Sequence, residues 1–177
     1  VYKKLPAVTW KLFLICKQVK TQRKPPPQWS VAFMVMLAKY KDVSSPDLFR
    51  NIALTNCDGK LFMSTVAADI ERFAVANKFI DTSIQKGFLS GVPGCIEHTF
   101  TTNEAMRDAY ENYRQIILVF VDLANAYGSV MHNLIQFALW WYHVPSHTAE
   151  IIYEYYENLI AQVTTDDWKT GFFRYLT

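Results

Sequence analysis

The chain has 177 residues, 51% hydrophobic and 19% charged, which supplies the apolar surface a globular core needs and excludes a disordered chain. That length suits one domain or two small lobes. The formal charge of +2 hides a split: residues 1 to 41 hold nine Lys or Arg and no Asp or Glu, while the other 136 hold nine basic and sixteen acidic residues. Either the first stretch faces a polyanion or it is a solvated basic surface. Cys16, Cys57 and Cys95 are far apart, with no C-x-x-C spacing and no histidine cluster to complete a zinc site. A reduced, intracellular protein is expected. No apolar run approaches the roughly 18 residues of a membrane span, so it is also expected to be soluble.

In chain order, the spacing from Trp10 to Val19 predicts a helix, which Lys24-Pro25-Pro26-Pro27 must stop because proline fixes φ and removes a donor. Trp29 to Ala38 reads as a buried strand, and Phe49 to Leu54 as a second one able to pair with it, with Lys39 and Arg50 near the ends of the hairpin. Asp58 is the expected N-cap of a helix from Gly59 to about Asn77, with Leu61, Phe62, Val66, Ile70 and Phe73 on one face. A glycine-containing loop from Gln85 to Gly94 follows. Thr101 and Glu104 have capping-box spacing for a helix to about Tyr113, striped by Ala105, Met106, Ala109, Tyr110 and Tyr113. Ile116 to Val121 reads as a buried strand. Ser129 can cap a helix that Val144-Pro145 ends, and Ser146 can cap another, bearing Ile151, Ile152, Tyr155 and Tyr156. Leu159 to Val163 and Gly171 to Leu176 read as strands around the polar turn Thr164 to Lys169. Helices and strands alternate without a repeat, so the fold class is mixed α and β (α/β or α+β).

The apolar run from Ile116 ends on Asp122. A carboxylate at the end of a rigid strand suits three chemistries: ligation of Mg²⁺, nucleophilic attack or proton abstraction. An aspartate capping the following loop is the structural alternative. Two-metal phosphoryl transfer would need further carboxylates from elsewhere.

The run V-D-L-A-N-A-Y-G-S-V-M-H, residues 121 to 132, resembles the first catalytic motif of reverse transcriptases, above all those of non-LTR retrotransposons, roughly D-L-x-x-A-[FY]-x-S-V-x-H. Upstream, M-L-A-K-Y-K-D (36 to 42) and F-R-N-I-A-L-T-N-C-D-G-K-L-F (49 to 62) resemble the family's fingers motifs L-x-K and F-R-P-I-x-L-x-N-x-x-x-K. Q-K-G-F-L-S-G-V-P-G-C-I-E-H (85 to 98) resembles the Q-x-G-F segment between fingers and palm. Four motifs in family order cover nearly all of the chain from about Pro27 onward.

The resemblance implies a right-hand polymerase fold, with a basic helix and proline linker over 1–30, fingers over 31–113 and a partial palm over 114–177. It implies an RNA-directed DNA polymerase that extends a DNA primer with dNTPs on an RNA template, using Mg²⁺. Asp122 would be the metal-binding catalytic aspartate, with the backbone carbonyl of Leu123 as a second ligand. Tyr127 would be the steric gate against a ribose 2′-hydroxyl, Lys39 and Arg50 would hold the triphosphate, and Lys60 and Gln85 would lie near the template. The basic first 41 residues would meet template or primer, with Trp10 and Trp29 as possible stacking surfaces or core residues. His132 matches the motif's last position but carries no assigned role.

Two departures stand out. Asn51 occupies the usual proline position and is expected to loosen the aim of Arg50; Gly128 replaces the commoner aspartate. In the family, G-V-x-Q-G and paired-aspartate motifs and a thumb come next, so the chain is expected to be a fragment inactive on its own. Asp166-Asp167 lie outside the family context and read as solvated turn residues. A non-catalytic nucleic-acid-binding or interaction domain is the alternative. A small phosphatase using Asp122 as nucleophile is disfavoured by Ala124, where its second aspartate would stand.

Overall fold

A computed structural model describes residues 4–41, 45, 48–123, 126, 128–165 and 168–174. It is mixed α and β, and it separates into two compact units: residues Val1–Ile70 with Ser129–Thr177, and Glu71–Gly128.

In the first unit, α1 (Pro6–Gln22) opens on a proline, which suits a helix start because its missing N–H would have no partner there. It ends where Arg23 turns left-handed (φ 59°) and donates its N–H to the Val19 carbonyl at 2.7 Å, just before the prolines. The chain passes through a 3₁₀ turn (Pro27–Ser30) into β1 (Val31–Ala38), which forms an antiparallel hairpin with β2 (Phe49–Thr55) as expected. Next come α2 (Cys57–Ala76), whose C-terminal end lies in the second unit, and, beyond that unit, α4 (His132–Trp141), α5 (Ser146–Glu157), β3 (Ile160–Val163) and β4 (Phe173–Arg174). Among the described residues the sheet order is β2-β1-β3-β4, with β3 parallel to β1 and antiparallel to β4. The bridge Thr164↔Lys169 closes the expected polar turn.

The core joins Leu12 and Val19 of α1, Trp29, Phe62 and Val66 of α2, and Ile151 of α5. Trp29 is 4% exposed and meets Phe62 at 5.4 Å between ring centroids, so it is a core residue and not a stacking platform. Trp10, by contrast, is exposed and stacked on Phe13. Ala32, Met34 and Ala161 form a second cluster on one face of the sheet. The bidentate pair from Arg23 to Glu150, at 2.9 and 2.8 Å, ties the end of α1 to α5.

Several helix starts differ from expectation; α5 follows Pro145 with no side-chain cap, so Ser146 is its first residue and not its cap. Asn56, not Asp58, caps α2: its Oδ1 accepts the N–H of Asp58 at 2.8 Å and of Gly59 at 3.2 Å, so Asp58 already lies inside the first turn. The helix from His132 follows Met131 without a side-chain cap, so Ser129 does not start it.

The second unit contains the end of α2, a loop, and α3 (Ile96–Glu111). The α3 helix begins five residues before Thr101, whose hydroxyl instead donates back to the Glu97 carbonyl at 2.9 Å. Only Ala109 of its expected apolar stripe is buried. The loop is tied down by Glu71, which accepts the N–H and hydroxyl of Ser90, and by His98 Nε2, which donates to the Ile84 carbonyl at 2.7 Å. The Lys86–Glu97 pair adds a 2.5 Å contact. Residues 116 to 121 do not form the expected buried strand; they are irregular and exposed, Phe120 to 85%. Apolarity favours burial, but a strand also needs a hydrogen-bonded neighbour.

Candidate functional site

The sequence-derived residues fall into two groups, each positioned within its own unit. On the hairpin, Arg50 pairs with Leu37. The Lys39 N–H donates to the Leu48 carbonyl at 2.9 Å, carrying the ladder one step past β1. Lys39 and Arg50 are therefore diagonal neighbours on one sheet face, where backbone positions lie about 7–8 Å apart. Both are exposed. Asn51 pairs with Met36 inside the strand, so the ladder restrains the backbone beside Arg50 where the family has a proline.

The same face carries Phe33, Leu37, Ile52 and Leu54, all substantially exposed, while the opposite face holds the buried Ala32 and Met34. The sequence of β1 is apolar on both faces, which reads as burial on both. The open face beside the two cations is thus a feature that strand reading misses. Chemically, this arrangement offers a point-charge ammonium and a planar guanidinium on rigid backbone, suited to phosphate oxygens, next to an apolar surface.

Lys60 is exposed on the first turn of α2, its N–H donating to the Asn56 carbonyl at 3.0 Å. In the second unit, Gln85 turns its amide onto its own loop, Nε2 donating to the Gly87 carbonyl at 2.9 Å. Asp122 and Leu123 are exposed in the irregular segment after Val121. Tyr127 and Asp166-Asp167 lie outside the described residues.

The Asp122 carboxylate and the Leu123 carbonyl are hard oxygen donors of the kind Mg²⁺ takes, and that ion commonly completes its shell with water and phosphate oxygens. Among the described residues no group of three His, Cys, Asp or Glu side chains could hold a metal by itself. No described helix is long and apolar enough to cross a membrane, and the three cysteines are free. No family model matches the chain, and no curated protein matches it.

Proposed function

We propose that the chain is the fingers and N-terminal part of the palm of an intracellular, non-LTR-type reverse transcriptase, an RNA-directed DNA polymerase. The order of four motifs between residues 36 and 132 carries this reading. The shared face of Lys39 and Arg50 supports it, because that face offers two cations to a triphosphate.

In this reading Lys39 and Arg50 grip the phosphates of an incoming dNTP and oppose the charge that builds as the α-phosphate is attacked. Bound Mg²⁺ would neutralise developing charge on the attacking and leaving oxygens. Asp122 and the Leu123 carbonyl contribute oxygen ligands, Tyr127 fills the space of a 2′-hydroxyl, and Lys60 and Gln85 attend the RNA template. The DNA primer 3′ end supplies the attacking hydroxyl.

Binding of dTTP by the 177-residue chain tests the first part. Arg50→Ala and Lys39→Ala should each weaken it by about tenfold, the loss of one charge-assisted contact. With the reading frame continued through a paired-aspartate motif, primer extension on an RNA template should appear and vanish in Asp122→Asn. Extension undiminished by that change would sink the catalytic assignment.

The exposed Lys4, Lys11 and Lys24 favour a second reading, a non-catalytic nucleic-acid-binding domain. Its mark is RNA affinity that falls steeply as salt rises, with no dTTP binding at all.

A further inference from the structure

A groove of about 810 Å³ runs between α1 and α2, wholly within the first unit. Its floor is the buried Leu12 and Phe62, and its walls are Phe13 and Leu61, 53% and 46% exposed. Cys16 lies midway, and Lys17 and Lys20 border the end nearer Gln22. Beyond the opposite end the apolar surface continues onto Trp10, stacked on Phe13 at 5.4 Å.

Three features indicate what would cover it. From Phe13 to Lys20 the groove follows two turns of α1, about 10 Å, which matches anchors at i, i+3 or i+4, and i+7 on an incoming helix. Lys17 and Lys20 on the α1 side face a single acidic residue, Asp69, on the α2 side, so the rim carries a net positive charge. Lys20 reaches Asp69 only across an exposed 3.7 Å pair, which a stronger carboxylate partner can displace. The apolar floor offers nothing to the hydrogen-bonding edges of bases, its Phe62 ring is buried and so gives no stacking face, and the cations gather at one end instead of tracking a backbone, which disfavours a nucleic-acid strand.

We propose that this groove seats an amphipathic α-helix of a partner protein, its apolar face on Leu12, Phe13 and Leu61 and its carboxylates against Lys17 and Lys20. This docking does not depend on the polymerase reading.

The probe is a fluorescein-labelled synthetic peptide of about 16 residues, long enough to favour a helix, with leucines at helical spacing and glutamates toward one end. A matched peptide carries lysines in place of the glutamates. The glutamate peptide should raise fluorescence polarisation and shield Cys16 from maleimide while the exposed Cys57 and Cys95 still react. Leu61→Glu should weaken its binding at least tenfold, and Lys17→Glu with Lys20→Glu should reverse the preference between the peptides. Since these side chains lie at the surface, unchanged circular dichroism verifies that each variant folds. Equal affinity for both peptides, unshielded Cys16, or shielding by oligo(dT) in place of the peptide would overturn the proposal.

Discussion

Gly59, in the first turn of α2, lies against the base of the Trp29 side chain: a Cβ added there would sit 3.0 Å from both Cβ and Cγ of the tryptophan. Those atoms are next to the Trp29 backbone, and the ring is held by Phe62, so a rotamer change cannot clear the space. Gly59→Ala should therefore lower stability in urea by about 1 kcal/mol, the cost of overpacking exceeding the gain in helix propensity. An alanine variant more stable than the parent would show that Trp29 yields.

The cap of α2 makes a paired prediction. Asn56→Ala removes the acceptor for two first-turn N–H groups and should cost about 1 kcal/mol, while Asn56→Asp keeps an acceptor and should be nearly neutral. Asp58→Ala, inside the helix and not its cap, leaves both capping hydrogen bonds in place and should cost less than Asn56→Ala. Urea midpoints of the three variants rank the two residues directly.

Val119 and Phe120 sit in an apolar, β-prone run that is exposed and unpaired to any strand among the described residues. Such a segment invites edge-to-edge association. Val119→Lys with Phe120→Lys should reduce light scattering at high concentration and leave the melting temperature nearly unchanged, because little burial is lost.

Acid should loosen the loop before α3. The Lys86 ammonium, by hydrogen bond and by charge, holds the Glu97 carboxyl below its ordinary value, and hydrogen bonds from Ser83 do the same for Asp81. A folded pKa lowered in this way contributes stability that is fully present above the ordinary carboxylate range and is lost as pH falls through the lowered value. NMR titration should find both carboxyls ionising below model peptides, and Lys86→Met should bring Glu97 back toward its ordinary value. No movement of Glu97 in that variant would contradict the assignment.

Much of this was legible in the sequence, where a local rule had no competitor. The prolines after Lys24 stop α1, the hairpin of β1 and β2 places Lys39 and Arg50 as their spacing requires, and the turn from Thr164 to Lys169 closes as its polarity suggests. Those outcomes rest on φ restriction, lost donors and short apolar runs set off by polar turns, all contained in a few consecutive residues. Tertiary structure alone decided the rest. Asn56 and not Asp58 caps α2, and Gly59 in that first turn meets Trp29 across the fold. β3 joins β1 in parallel although more than a hundred residues separate them, an order that no local pattern encodes. Ile116 to Val121 has the composition of a strand but no ladder partner among the described residues, and α1 keeps an open side where composition alone would bury it. Apolar residues state a preference for leaving water; which neighbours receive them is set by the whole chain at once.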